Sequence, residues 1–510
     1  MSVLCHAPNG RYIAFLKGAT ERVLDCCVGV QMSDEHDIEF MSSQELQALV
    51  LPNVEALAKG GLRVLSLAYR RIKYEGQVTS DTFSREYIEQ EMIFLGLVGI
   101  YDPPRTESKD AVDECHKAGI TVHMLTGDHI ATATAIAREV NILPATYGLD
   151  EDDEMYERAK AVAKPHIGDG KTDLVMSAQR FDKLSVEQID ALPDLPLVIA
   201  RCSPDTKVKM IEALHRRKKI AGMTGDGVND SPSLKESDIG IAMGENGSDV
   251  AKQAADIVLV DDNFATIVKA IEEGRRVFGN IARFVVHMVS GNVAELTPLL
   301  LGLAFVDANG ESVFPMSPVQ ILFNNIITSS PPAMSLGLEP IHKDQMLQPP
   351  RSRKDGLFSY SNLIDIHFYG VTIGIICLIN FIVVVYGWGT GNLGAGCNHY
   401  YSEACDEVFR ARGALFATLT ILILVHGFTC RDLRNPTWTW SALTGQQNKY
   451  LFWSTLFGLV LLVITLYVPV LNTDVFKHKP ITWEWGMTAA SVVVYIMIVE
   501  AYKGIKRKFF

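Results

Sequence analysis

The sequence predicts an α/β soluble half joined to an α-helical membrane half. Three observations carry this. Between residues 93 and 262 short apolar runs alternate with amphipathic helical patterns, as in a parallel sheet with crossover helices. Polar motifs sit at the ends of those runs, where parallel sheets place their chemistry. Beyond about residue 280, segments of about 20 apolar residues recur, long enough to cross a hydrocarbon core about 30 Å thick. Of the 510 residues, 48% are hydrophobic and 21% charged, which excludes a disordered tail or a fibrous repeat. The 59 acidic residues exceed the 47 basic ones, giving −12, which argues against a nucleic-acid partner.

The elements follow in order. IFLGLVGI (93–100) reads as a buried strand heading the α/β region, ended by Asp102-Pro103-Pro104-Arg105. Residues 107–119 form an amphipathic helix stopped by Gly119; 120–128 are the next strand and loop, and 131–142 the next helix. Runs at 195–201, 219–226, 238–243 and 255–260 continue the strands, with a helix at 207–218. Residues 263–282 look helical and lead directly into the first apolar span. Six spans are read: 283–305, 315–336, 363–388, 413–430, 450–471 and 485–502. The second is interrupted by Asn324, Asn325, Pro331 and Pro332. Lys343, Arg351, Arg353, Lys354, Arg431, Arg434 and the basic tail share one side of six crossings, expected to be the cytoplasm. The loop at 389–412 mixes Arg410 and Arg412 with acidic residues. It also holds Cys397 and Cys405, read either as a disulfide or as two free thiols.

The most informative string is Thr224-Gly225-Asp226-Gly227-Val228-Asn229-Asp230, since a specified heptamer arises by chance about once in 10⁹ positions. Two carboxylates at a strand end, Asp226 and Asp230, suit Mg²⁺, which takes oxygen ligands and phosphate company. Gly225 and Gly227 permit tight turns. Thr126, Gly127 and Asn229 offer hydroxyl, amide and carboxamide groups to a phosphoryl group, and Lys207 adds positive charge. In the spans, Asn292 and Glu295 share a helical face, and Asn325, Thr328 and Ser329 precede a proline pair that frees carbonyls for a cation. His287, His367 and His426 read as packing residues, separated from one another and without partners.

TGDGVNDSPSL resembles the hinge motif of P-type ATPases, cation pumps that cycle through an aspartyl-phosphate. Lys17-Gly18-Ala19 looks like that family's nucleotide-site lysine motif, and Leu62-Arg63-Val64-Leu65 resembles its arginine at the ATP phosphates. Asp102 to Arg105, Thr126-Gly127-Asp128, and Arg201-Cys202-Ser203-Pro204 leading to Lys207 fall in the family's order. The resemblance implies ATP, with Lys17, Arg63, Asp102 and Arg105 at the nucleotide, and Mg²⁺ at Asp226. It implies residues 1–92 as the end of a nucleotide-binding domain. Residues 93–275 would be a phosphorylation domain of haloacid-dehalogenase-like, Rossmannoid type, and 276–510 a transmembrane domain with six helices.

The family's phosphorylated aspartate lies in Asp-Lys-Thr-Gly-Thr, and the sequence holds no such string; Asp182-Lys183 is followed by Leu. The chain is therefore expected to be a C-terminal portion that alone neither forms an acyl-phosphate nor pumps. Asn292, Glu295, Asn325 and Thr328 match cation-site positions of the calcium-pump-like group, but Ser329 stands where calcium pumps carry an aspartate. Fewer carboxylates disfavour a divalent ion. That departure resembles the fungal sodium and potassium efflux ATPases, so Na⁺ with K⁺, and a lipid bilayer (by resemblance the plasma membrane), are the expected partners. Other readings stay open: a calcium-transporting ATPase fragment, or a non-catalytic membrane partner that binds nucleotide. A membrane-anchored phosphatase ranks last, because Asp194 precedes its strand instead of ending it.

Overall fold

The computed structural model describes every residue except 8–10, 33–36, 73–83, 149–173, 342–343, 353–355, 439–447 and 510. Lys343, Arg353 and Lys354 of the expected basic loop thus lie outside the described residues. The chain divides into two compact units, Met1–Ala270 with Met346–Pro350, and Ile271–Gln345 with Arg351–Phe510.

The first unit opens with a six-stranded sheet in the order β1-β2-β5-β6-β3-β4. Its strands are β1 (Ser2–His6), β2 (Tyr12–Gly18), β3 (Cys27–Gln31), β4 (Ile38–Phe40), β5 (Arg63–Ile72) and β6 (Met92–Ile100). Helix α1 (Ser43–Lys59) covers one face, started by a capping box between Ser42 and Glu45. It buries Leu46, Val50, Val54 and Ala58, every fourth residue, the first three of them in one cluster with Leu16, Ala68, Met92 and Phe94. The run at 93–100, expected to head the parallel layer, instead closes this first sheet as β6, antiparallel to β5 and parallel to β3. A continuous apolar run signals burial without naming its partner strand.

The α/β expectation holds further on. β7 (Met124–Thr126), β8 (Val175–Ser177) and β9 (Val198–Ala200) form a parallel sheet in the order β7-β9-β8. β10 (Gly222–Gly225), β11 (Ile239–Met243) and β12 (Ile257–Leu259) form a second parallel sheet in that order. Helices α2 (Thr106–Lys117), α3 (Ile130–Glu139), α4 (Pro204–Arg216) and α5 (Ser231–Glu236) stand between the strands, as the amphipathic patterns require. Among the described residues β7 and β10, which carry the two motifs, are both edge strands, paired only with β9 and β11. Burial agrees: β9 is wholly inaccessible, whereas β7 is half-buried throughout and β10 has no fully buried residue.

The second unit is helical. Among the described residues five helices, not six, are long and apolar enough to cross a membrane. They are α6 (Phe264–Gly302), α9 (Tyr360–Ile382, continued by a π-helical turn, Val383–Trp388), α10 (Asp406–Thr429), α11 (Lys449–Tyr467) and α12 (Glu484–Phe509). The segment read as the second span breaks into α7 (Pro318–Phe323), a π turn (Asn324–Thr328) and α8 (Ser330–Leu336). Pro331 and Pro332 have no N–H to give, so the carbonyls one turn earlier lose their partners and the α-helical ladder fails there. The helix expected at 263–282 does run unbroken into the first span.

Arg410 and Arg412, read as loop charges, belong to α10. Arg410 pairs with the fully buried Glu484 at 2.8 Å. Arg412 is buried and donates to the carbonyls of Phe314 and Cys397 and to Asn398 Oδ1. Those contacts pin the loop in which Cys397 and Cys405 form a disulfide. Gly370 and Gly374 give α9 its contact with α6: a Cβ on Gly374 would stand 2.5 Å from Thr297 Cβ, and one on Gly370 2.5 Å from Val293 Cβ. Small residues four apart let two helices approach in lipid. Gly374→Leu is expected to destabilise the helical unit by about 1–3 kcal/mol, read as a lower midpoint when the detergent-solubilised chain is unfolded by heat.

Candidate functional site

The soluble site is built at the C-terminal ends of β7, β9 and β10. After β7 the chain turns on itself: Thr126 Oγ1 donates to Asp128 Oδ2 at 2.8 Å, and the Asp128 amide donates back to Thr126 Oγ1 at 3.1 Å. After β9 the Cys202 amide donates to the Thr126 carbonyl, tying the two strand ends together. Ser203 then caps α4, with Pro204 in its first turn. That start fixes Lys207 one turn into the helix, where its Nζ donates to Asp230 Oδ1 at 2.5 Å. Asp230 is buried and also accepts from the Gly227 amide. Gly225 is required by space, since a Cβ there would lie 2.5 Å from Asp230 Cβ. Gly227 has φ −87° and no such demand.

The two aspartates therefore differ. Asp230 is engaged by Lys207, while Asp226 and Asn229 are exposed at the loop surface. One exposed carboxylate fits Mg²⁺, which keeps most of its waters and takes one or two protein carboxylates. The structure brings Arg63 to this end, its Nε 3.7 Å from Asp128 Oδ1. Lys17 pairs with Leu67 across β2 and β5. Leu67 shares a strand face with Arg63, so Lys17 and Arg63 lie on one face of the first sheet, about 14 Å apart between their backbones. Asp102 is exposed beyond β6, and Arg105 Nη1 donates to the Asp261 carbonyl after β12. Gly127 lies between Thr126 and Asp128 in open space.

Cys202 adjoins this site but is no nucleophile at neutral pH. Burial pushes its thiol up to about 11, against the opposing charge of Lys207. Below that pH it stays protonated, so at pH 8 Cys202 is expected to resist iodoacetamide while the exposed Cys5 reacts, as peptide mass mapping would show.

In the second unit Glu295 is buried on α6. Asn324 Nδ2 donates to its Oε1 at 3.1 Å and Asn325 Nδ2 to its Oε2 at 2.7 Å. Thr328 and Thr420 donate to Asn324 Oδ1 at 2.6 and 3.3 Å. The result is one carboxylate ringed by amides and hydroxyls, beside the carbonyls released at the π turn. Ser329 is buried at the end of that turn, its amide bonded to the Asn324 carbonyl. Asn292 is not part of the cluster; it faces outward, exposed.

Three family models match: "P-type ATPase, cytoplasmic domain N" over residues 1–107, "haloacid dehalogenase-like hydrolase" over 55–238, and "Cation transporting ATPase, C-terminus" over 313–505. A sodium/potassium exporting P-type ATPase of Schizosaccharomyces pombe is 47% identical over 99% of this chain and 48% of its own length. The chain belongs to the P-type cation-transporting ATPases. A sodium/potassium exporting P-type ATPase of Saccharomyces cerevisiae is 44% identical over 100% of the chain and 46% of its own. A calcium-transporting ATPase of Bacillus cereus is 36% identical over 98% of the chain and 52% of its own. The chain thus spans about half the length of the curated relatives it matches.

Within this P-type chain the Glu295 cluster includes Asn324, read from sequence only as one of the polar interruptions of the second span, and Thr420, which sequence pattern does not single out. Asn324 stands beside Asn325 in the sequence, and only the π turn directs both amides toward Glu295. Thr420 comes from α10, about a hundred residues away, and no local pattern announces it.

Proposed function

We propose that these 510 residues form the C-terminal portion of a pump that couples ATP hydrolysis to export of Na⁺, with K⁺, across the plasma membrane, the soluble half and C-terminus facing the cytoplasm. The observation that carries the ion choice is the single carboxylate of Glu295 among neutral donors. One negative charge balances one monovalent cation; a divalent ion would leave a buried net positive charge. The greater likeness to relatives named as sodium/potassium exporters than to one named as a calcium transporter supports this.

In the soluble half, Lys17 and Arg63 would hold the nucleotide along the first sheet, aided by Asp102 and Arg105. Thr126, Gly127 and Asn229 would seat the phosphoryl group. Lys207, held by Asp230, would counter its charge; Asp128 would orient Arg63. Asp226 would hold Mg²⁺, which when bound would neutralise charge on the transferred phosphoryl. The nucleophile is what these residues lack. We infer that the edges of β7 and β10 are where a strand bearing it would pair, which accounts for the half-burial of two motif-bearing strands. The test of ion choice joins the chain to an upstream segment carrying Asp-Lys-Thr-Gly-Thr and measures cation-stimulated ATP hydrolysis. Stimulation by Na⁺ and not by Ca²⁺ is expected; stimulation by Ca²⁺ alone overturns the ion assignment.

A further inference from the structure

The structure contradicts the separation of the histidines. His367 bonds its own helix, its Nδ1 at 2.8 Å from the Leu363 carbonyl. His287 of α6 and His426 of α10, however, stack with ring centroids 5.5 Å apart. Cys430, at the end of α10, joins them. One nitrogen from each ring and the Cys430 Sγ all lie within 4.8 Å of one another, and all three residues are buried. Among the described residues neither ring nitrogen of His287 has a hydrogen-bond partner; the Ser329 backbone faces the ring without reaching bonding geometry. Ser290 Oγ and the Tyr369 hydroxyl nearby are likewise unsatisfied, and the Tyr369 ring lies 5.1 Å from that of His426. Fully buried polar atoms without partners are rare, and a bound water or ion is one way to satisfy them.

His426 is anchored through one ring nitrogen. Its Nδ1 lies 2.8 Å from the Tyr495 hydroxyl, and its Nε2 3.3 Å from Cys430 Sγ. In the tautomer that donates Nδ1–H to Tyr495, Nε2 carries the lone pair; the Cys430 Sγ, 3.8 Å from Nδ1 as well, lies beside the ring, so ligation also requires the ring or the thiol to turn. A metal-ligating histidine is typically fixed in this way through its other nitrogen.

We propose that His287, His426 and Cys430 form a site for a soft monovalent cation, Cu(I), bridging α6 and α10. The cysteine thiolate is a soft ligand that favours Cu(I), and imidazole is a borderline one that suits copper. Charge selects the oxidation state. Two neutral imidazoles and one thiolate neutralise Cu(I), whereas Zn²⁺ would leave a net positive charge in a fully buried setting. As the Cu–S bond forms, the Cys430 thiol proton is released to the buffer, and no redox step is involved. Bonds of about 2.0 Å to nitrogen and 2.3 Å to sulfur put ligand atoms roughly 3.5 Å apart, so closure needs a shift of about 1 Å. The site lies about 12 Å along α6 from Glu295, separate from the carboxylate cluster.

The test titrates the purified, detergent-solubilised 510-residue chain anaerobically with Cu(I), against a competing chelator that strips surface thiols. X-ray absorption at the copper edge of the tightest equivalent is expected to show two nitrogens and one sulfur. Cys430→Ser and His287→Phe should each lose that one equivalent, and Cys377→Ser, a buried thiol elsewhere, should keep it. Tyr495→Phe should bind about ten- to a hundredfold more weakly, because it only positions His426. Sulfur-only coordination, retention of the equivalent in a folded Cys430→Ser chain, or tighter Zn²⁺ than Cu(I) binding would each overturn the proposal. The absorption spectrum is measured on the unsubstituted chain, so it decides the coordination even where a substitution misfolds.

Discussion

Replacing Glu295 by alanine is expected to abolish cation-stimulated turnover once the chain is joined to an upstream segment bearing the nucleophile. Among the described residues Glu295 is the only carboxylate in its cluster, with both oxygens held by Asn324 and Asn325. A dehydrated cation facing neutral donors alone loses its counter-charge. Removing one partner of a buried charge pair costs about 3–5 kcal/mol, which lowers cation affinity at least a hundredfold. Asn324→Ala should cost less, about 1–3 kcal/mol, because it removes hydrogen bonds and not charge. The readout is the Na⁺ concentration for half-maximal ATP hydrolysis. An unchanged value in Glu295→Ala would remove this residue from the cation path.

The second large effect concerns stability. Lys207 and Asp230 are mostly buried, with side chains 16% and 10% exposed. Lys207→Met leaves the Asp230 carboxylate buried without its cation, and is expected to destabilise the first unit by about 3 kcal/mol. The double change Lys207→Met with Asp230→Leu removes both charges and should recover most of that loss. Thermal melts of the single and double variants decide the point. Equal destabilisation by the double change would mean that the pair's surroundings, not the unpaired charge, set the cost.

Much of this arrangement is legible in the sequence, and the exceptions share a cause. Periodicity locates α2, α3 and α4, the unbroken α6, and the strand ends carrying Thr126 and Asp226. Local pattern cannot choose partners. The run at 93–100 reads as a strand, yet only pairing with β3 and β5 shows which sheet owns it. The 315–336 segment has enough apolar length to count as a span, while its two prolines and two asparagines have enough backbone chemistry to break it. Asn292 and Glu295 stand three residues apart, but the packing of α6 leaves one exposed and buries the other. Thr420 and the His287, His426 and Cys430 cluster arise from contacts between α10 and distant elements, which sequence spacing does not record.

The central claim is that these residues hold no nucleophile of their own. The most direct test incubates the purified 510-residue chain with γ-labelled ATP and Mg²⁺, then quenches in acid and treats half the sample with hydroxylamine. The expected result is no hydroxylamine-labile phosphoenzyme from the chain alone. Label should appear, on the added segment, when a segment carrying Asp-Lys-Thr-Gly-Thr is co-folded with it. Stoichiometric, hydroxylamine-labile label on the chain by itself would show that a nucleophile is present within it and would contradict the assignment.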